Sequence, residues 1–161
     1  MKMNTDKSKL KPYAVSLALA LITGGVSALL TNMGMDNYRA VQKPALTPPE
    51  IVFPIVWTIL FILMGISAAR IWLSPDSKNK VQGLRIYILQ LTFNFIWSIL
   101  FFNLQAYGFA FIWLIILWLL ILLMIVSFSK SDKLAAYLQI PYLLWVTFAS
   151  YLNLMVWLLN K

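Results

Sequence analysis

Amide and indole side chains share one helix face in the stretch from residue 90 to residue 97. Gln90, Asn94 and Trp97 follow one another at spacings of four and three residues, which places them on the same side of a helix. An amide inside an apolar run needs a partner, because lipid offers no hydrogen bond. Two interpretations of Asn94 remain open, namely an interhelical hydrogen bond and a polar contact to a bound ligand.

A second stretch with the same periodicity runs from residue 141 to residue 153. Pro141, Trp145, Ala149 and Asn153 recur there at every fourth position, and on a helix they form one slowly drifting stripe. A small residue between a tryptophan and an amide leaves a notch with an aromatic wall and a polar end. Such a notch suits a flat, mostly apolar ligand. The alternative is that Trp145 fills the space above Ala149 by packing against another helix.

The absence of some residue types, and the positions of the acidic residues, argue against several kinds of site and activity. The sequence has no histidine and no cysteine, so it lacks the commonest general base, the commonest haem and metal ligand and any thiolate. We expect no metal site and no required cofactor. The five acids, Asp6, Asp36, Glu50, Asp76 and Asp132, fall in tails, loops or helix ends. Coupled transporters usually need an ionisable group within the membrane, so a proton-coupled exporter is disfavoured, as is an intramembrane hydrolase.

The composition indicates which elements position these residues. The chain has 161 residues, of which 61% are hydrophobic and only 11% are charged, whereas soluble domains are about half apolar and about a quarter charged. Five apolar runs reach the length that spans a bilayer, at about 13–33, 51–73, 81–102, 106–128 and 134–159. Short connections make successive helices antiparallel neighbours. The sequence therefore predicts an all-α integral membrane protein with a single domain over residues 1–161, a bundle of five transmembrane helices.

A ladder of small residues follows one face of the first predicted helix. Its members are Ser16, Ala20, Gly24 and Ala28. In lipid, small residues allow two helix backbones to approach closely. The sequence leaves open whether this face packs inside the bundle or between two protomers.

The basic residues predict how the bundle is oriented. With five spans, ten of the thirteen lysines and arginines fall on one side and three on the other. The larger group comprises Lys2, Lys7, Lys9, Lys11, Arg70, Lys78, Lys80, Arg85, Lys130 and Lys133, and the smaller group comprises Arg39, Lys43 and Lys161. The positive-inside rule then places the N-terminus in the cytoplasm and the C-terminus outside. Because the charges sit at the ends of apolar runs, the net charge of +8 does not indicate nucleic acid.

The connection between the first two spans is rich in proline. Pro44, Pro48, Pro49 and Pro54 are four of the seven prolines in the chain, and proline restricts both its own φ and the residue before it. The sequence predicts a stiff, extended segment within an outward-facing loop at 34–50. We interpret this loop as a lid over the helices.

Several motifs in order resemble one known family. F-P-I-V-W, F-N-F-I-W and P-Y-L-L-W-V-T-F-A-S-Y-L-N, together with the proline-rich loop and five spans, are similar to the tryptophan-rich sensory protein family, also called the translocator protein or peripheral-type benzodiazepine receptor family. The resemblance covers residues 17–160. It implies a bacterial cell-membrane protein with a five-helix bundle, often a homodimer, and a pocket that opens toward the first loop.

The resemblance also implies ligands and site residues. The ligands would be tetrapyrroles such as protoporphyrin IX and haem, and isoquinoline carboxamide or benzodiazepine drugs. The implied ligand-binding residues are Tyr38, Lys43, Pro44 and Leu46 in the loop, Trp57 in the second helix, Asn94 and Trp97 in the third, and Trp145, Ala149 and Asn153 in the fifth. The sequence departs from the family where tryptophans are frequent in the first loop, at Asn37, Ala45, Leu46 and Ile51.

The leading hypothesis is a membrane receptor or sensory protein that binds porphyrins within the helix bundle. Tryptophan faces would stack on the porphyrin ring, and Arg39 and Lys43 would pair with its propionates. The alternative for these two bases is headgroup contact or solvation. Light-dependent porphyrin degradation at Trp145 is a further expectation from the family, which leaves enzymatic activity open. The competing functions are tetrapyrrole transport and a membrane scaffold that recruits protein partners.

Overall fold

Five apolar helical spans form the architecture of the protein. The structure, a computed structural model, describes residues 3–161, with side chains from residue 9 onward; Lys2 and the side chain of Lys7 lie outside the described part. The helices are α1 (Met3–Thr31), α2 (Met35–Ala40), α3 (Val52–Leu73), α4 (Lys78–Ser98), α5 (Tyr107–Ser129), α6 (Lys133–Tyr137) and α7 (Ile140–Leu159). Within residues 3–161, five helical segments are long and apolar enough to cross a membrane, which confirms the predicted fold class.

Close packing between α1 and α3 depends on small residues. Ala20 is fully buried, and a Cβ atom added to Gly24 would collide with the ring of Phe61. On the other helix, a Cβ atom added to Gly65 would lie 2.8 Å from the Cα atom of Leu17. Ser16, Ala20 and Gly24 of the ladder therefore pack inside the bundle, whereas Ala28 is exposed.

The first connection is shorter than the loop predicted over residues 34–50. Helical structure continues after α1 through a 3-10 turn at Asn32–Gly34 and then α2, so the irregular segment covers only residues 41–51. Asp36 lies in the first turn of α2 and Arg39 in its last turn, where each charge complements the helix dipole. This charge pattern is a helix signal that the prediction of a loop overlooked.

Gly34 allows α2 to press against the end of α4. A Cβ atom at Gly34 would collide with the backbone carbonyl of Phe102, so a larger residue would separate the two segments. Tyr38 of α2 is buried in this contact, with its ring centroid 5.7 Å from that of Phe101 and 5.4 Å from that of Phe102. The helix α2 therefore covers the bundle at this end.

The structure contains two irregularities in its helices where the sequence predicted continuous helices. The fifth span, predicted as one helix over 134–159, is interrupted between α6 and α7, because Pro141 has no N–H to donate to the carbonyl of Tyr137. At the end of α4 the chain widens into a π turn at Ile99–Asn103, closed by a hydrogen bond from Leu104 N to Ile99 O of 3.0 Å. Such turns often occur at functional sites.

The loop 41–51 is held at both ends by polar contacts. Near its start, the side chain of Asn160 accepts a hydrogen bond of 2.9 Å from Gln42 N and donates one of 2.9 Å to Gln42 O. Near its end, Glu50 accepts hydrogen bonds from the guanidinium of Arg39 at 3.1–3.3 Å. The loop is therefore attached to the C-terminal end of α7 and to α2.

Replacing Asn160 by alanine is expected to loosen the loop without disturbing the helices. The substitution removes both hydrogen bonds to Gln42, each worth about 0.5–1.5 kcal/mol. We expect amide hydrogen exchange in peptides covering 41–51 to accelerate by about fivefold or more, measured by mass spectrometry in detergent. Asn37→Ala, an exposed asparagine on α2, is the matched control. Equal exchange in the two variants would contradict the role of Asn160.

Candidate ligand site

A cavity of about 480 Å³ lies among α1, α3, α4 and α7, beneath α2. Most of its wall is apolar, and Met35, Tyr38, Glu50 and Ile51 form its end nearest the loop 41–51, which we call the mouth. The residues that line it are Gly24, Ser27, Ala28, Thr31, Asn32, Met35, Tyr38, Glu50, Ile51, Phe53, Pro54, Trp57, Phe61, Asn94, Trp97, Ser98, Phe101, Phe102, Trp145, Ala149, Leu152 and Asn153.

Aromatic rings from three different spans form the cavity wall. The ring centroids of Trp57 on α3 and Trp97 on α4 are 6.5 Å apart, and Trp97 stacks on Phe101 at 5.4 Å. On α7, Trp145 meets the edge of Phe53 at 5.9 Å. Flat, polarisable faces therefore approach the cavity from several directions, which is the lining that an extended aromatic ligand requires.

A buried chain of polar side chains fixes α4 against α7 below the cavity. The hydroxyl of Tyr142 accepts a hydrogen bond of 2.9 Å from Asn94 Nδ2 and donates one of 2.8 Å to Gln90 Oε1. All three side chains are buried. The interpretation of Asn94 as an interhelical hydrogen-bonding residue is thus confirmed, and the same residue also lines the cavity.

A second polar contact fixes the indole of Trp97. Its Nε1 donates to Asn153 Oδ1 at 3.1 Å, and Asn153 Nδ2 donates to the backbone carbonyl of Tyr107 at 2.8 Å. Asn153 is fully buried, so one amide joins three helices. The indole N–H of Trp145 differs, because it is buried and has no hydrogen-bond partner within the described residues.

Seven of the ten ligand-binding residues inferred from the sequence line the cavity, namely Tyr38, Trp57, Asn94, Trp97, Trp145, Ala149 and Asn153. The other three lie in the loop and are outside the lining. The ammonium of Lys43 lies 4.5 Å from the ring centroid of Tyr38. Pro44 is buried in a turn whose carbonyl accepts from the backbone N–H of Thr47, and Leu46 is 66% exposed.

Sequence reasoning missed the contribution of α1 and of the loop end to the cavity. Gly24 and Ala28 were noticed only as packing residues, yet both also line the cavity. Phe53 and Glu50 also line it, although each was considered only as part of a motif or a helix end. The small-residue ladder was the available signal, since a face without side chains can border a void as well as a neighbouring helix.

Comparison with known proteins identifies the family. The model of the TspO/MBR family matches residues 14–158, which is most of the chain. The chain belongs to the TspO/MBR family. Among individual relatives, the tryptophan-rich protein TspO of Chlorobaculum tepidum is 37% identical over 149 residues, covering 91% of this chain and 94% of the relative.

Similar coverage extends to relatives with other names. Protein CrtK of Rhodobacter capsulatus is 38% identical over 149 residues, with 92% of each chain covered. The translocator protein of Sus scrofa is 33% identical over 152 residues, which span 92% of this chain and 90% of that one. The resemblance inferred from the tryptophan motifs is therefore confirmed, and TspO/MBR membership applies to the whole bundle that surrounds the cavity.

Two buried tyrosines test whether the polar chain stabilises this TspO/MBR bundle. Tyr142→Phe leaves Asn94 Nδ2 and Gln90 Oε1 without their shared partner, which is expected to lower the free energy of unfolding by about 1–3 kcal/mol. Tyr87→Phe is the control, because the Tyr87 hydroxyl is buried without a partner among the described residues; its removal should leave stability unchanged or raised. Thermal unfolding in detergent measures both, and similar losses in the two variants would contradict the assignment.

Proposed function

We propose that this protein is a membrane receptor for flat, largely apolar ligands that bind in the cavity. Tetrapyrroles such as protoporphyrin IX and haem are the first class, and aromatic amides of the isoquinoline carboxamide or benzodiazepine type are the second. The observation that carries this proposal is the aromatic wall formed by Trp57, Trp97 and Trp145 from three helices around a cavity of about 480 Å³. Membership of the TspO/MBR family supports it.

The chemistry of the wall favours recognition through ring faces. Aromatic pairs contribute about 0.5–1.5 kcal/mol beyond the burial of apolar area, and the tryptophan rings are already fixed by their neighbours. The buried N–H of Trp145, which has no hydrogen-bond partner in the described part of the chain, provides a donor for a ligand carbonyl or ring nitrogen. With no histidine in the sequence, haem would be held by its macrocycle, and metal-free protoporphyrin should bind comparably.

Ala149 offers a direct test, because a larger residue there would occupy the cavity. Ala149→Leu is expected to weaken binding of protoporphyrin IX dimethyl ester and of a neutral isoquinoline carboxamide by about tenfold or more, which corresponds to about 1.4 kcal/mol or more. Binding is followed by quenching of tryptophan fluorescence in non-ionic detergent, in the dark. Ala18→Leu, at an exposed position on α1, is the matched control with unchanged affinity expected.

Two results would contradict this function. Quenching that does not saturate would mean that the ligands only partition into the micelle. Equal affinities in the Ala149→Leu and Ala18→Leu variants would place binding outside the cavity. Either result would favour the alternative of a helical scaffold that recruits protein partners.

We also propose that the cavity opens on the outer side of the membrane, with the N-terminus in the cytoplasm and the C-terminus outside. The excess of basic residues at the opposite end supports this orientation. In bacterial cells, alkaline phosphatase fused after Lys161 should be active, because it folds only outside the cytoplasm. A fluorescent protein fused at the same residue is the control and should remain dark. The reverse pattern would overturn the orientation.

A further inference from the structure

The mouth of the cavity carries an unusual distribution of charge. Glu50 is the one formally charged side chain in the cavity lining among the described residues. The Glu50 carboxylate forms an ion pair with the guanidinium of Arg39, with 3.1 Å between Arg39 Nη2 and Glu50 Oε2. The same guanidinium also pairs with Asp36, with 3.1 Å between Arg39 Nη1 and Asp36 Oδ1. A single cation is therefore shared between two carboxylates, and one of these two belongs to a residue that lines the cavity.

The other bases at this end of the bundle lie outside the cavity lining. The ammonium of Lys43 is 4.5 Å from the ring centroid of Tyr38, and that of Lys161 is 4.6 Å from the ring centroid of Trp157. Each thus has an aromatic partner. A carboxylate on a bound ligand would therefore find Glu50, and no cation, among the lining residues that the structure describes.

Glu50 also remains ionised under physiological conditions. The hydrogen bonds from Arg39 hold the pKa of the Glu50 carboxyl below its usual range. Desolvation acts in the opposite direction, and the positive charges of Arg39 and Lys43 lower the pKa further. A negative charge therefore persists at the mouth at neutral pH.

We propose that Glu50 makes this cavity selective for charge, so that flat ligands with a neutral or cationic end at the mouth bind better than those with carboxylates. The proposal rests on the proposed function and specifies the ligand class further. It competes with the expectation that Arg39 and Lys43 hold propionates, since Arg39 already binds two carboxylates and Lys43 lies outside the lining. At a solvent-exposed site, one unit charge at close range changes affinity by about threefold to tenfold.

The two halves of the ion pair distinguish charge selectivity from a purely structural attachment of α2. Glu50→Gln removes the negative charge and keeps a hydrogen-bonding side chain of the same size. Arg39→Gln leaves the Glu50 carboxylate in place and removes the cation that partly neutralises it. Selectivity by charge predicts opposite effects of the two substitutions, whereas a structural ion pair predicts the same effect from both.

Three porphyrins with one ring system provide the measurement. They are protoporphyrin IX, which is dianionic, its neutral dimethyl ester, and its dicationic bis(aminoethyl) amide, each titrated at neutral pH and low salt in non-ionic detergent. For Glu50→Gln, we expect the affinity for the dianion relative to the ester to rise by about threefold to tenfold, and that for the dication to fall. For Arg39→Gln, we expect the affinity for the dianion relative to the ester to fall and the affinity for the dication relative to the ester to rise. Higher salt should reduce all of these differences.

Two control variants localise the effect. Asp76→Asn makes the same charge change at the opposite end of the bundle, where Asp76 pairs with Lys80, and should leave the ratios unchanged. Asp36→Asn removes a negative charge near the mouth, at a residue outside the cavity lining. It should shift the affinities for the charged porphyrins, relative to the ester, less than Glu50→Gln does. An Asp36→Asn shift as large as that of Glu50→Gln would overturn the role of Glu50 as a lining residue.

The outcomes separate this inference from the proposed function. If the neutral ester binds saturably and with the same affinity in all variants, but the charged porphyrins show no change in ratio, charge selectivity is wrong and the receptor function stands. If changes at Glu50 and Arg39 act in the same direction, the pair is structural and the inference is overturned. If the neutral ester does not bind saturably, the receptor function fails and the selectivity fails with it.

Discussion

The pairing of polar groups away from water is the constraint on which the rest of this structure depends. In lipid, an amide or hydroxyl without a partner is costly, because no solvent can replace the missing hydrogen bond. Tyr142 satisfies both Asn94 and Gln90, while Asn153 satisfies the indole of Trp97 and a carbonyl of α5. Each bond contributes only about 0.6–2 kcal/mol, yet together they allow a single register between α4 and α7. The orientation of the aromatic wall follows from that register.

The cavity is lined by small residues as well as aromatic ones. Gly24 and Ala28 on α1 and Ala149 on α7 belong to the same lining as the tryptophan and phenylalanine rings. In water, apolar walls of this kind would tend to collapse on one another, whereas lipid chains solvate the outside of the helices equally well. Helix association in a bilayer therefore depends on complementary shape, and a gap between well-packed contacts carries a smaller penalty. The tight contact of Gly65 with Leu17 illustrates how one face of α1 packs closely while its neighbour borders the void.

Hydropathy was sufficient to predict the five spans, and helical spacing singled out Asn94, Trp97, Trp145 and Asn153, because both signals are local. That these residues share one cavity with Tyr38 and Trp57 was implied only by the resemblance to the family. The misses involve contacts between residues that are far apart in the sequence. The position of the loop depends on Asn160, which is 118 residues away from Gln42, so nothing near Lys43 or Leu46 could show that these side chains lie outside the cavity. The partner of Asn94 was equally inaccessible, since many hydroxyl groups could have satisfied it. The break before Pro141 and the helix α2, which Asp36 and Arg39 mark, had local signals that were not used.

The attachment of the loop to Asn160 has a consequence for the order of events during biosynthesis. A ribosome delivers Gln42 to the membrane long before it delivers Asn160, and several spans are inserted in the interval. Throughout that time, Gln42 near the start of the loop lacks its hydrogen-bond partner Asn160, and the cavity lacks the wall that α7 contributes. A hydrophobic molecule in the bilayer could therefore enter the half-assembled bundle laterally and be enclosed when the last helix docks. Such a molecule would copurify with the protein without ever having passed through the mouth.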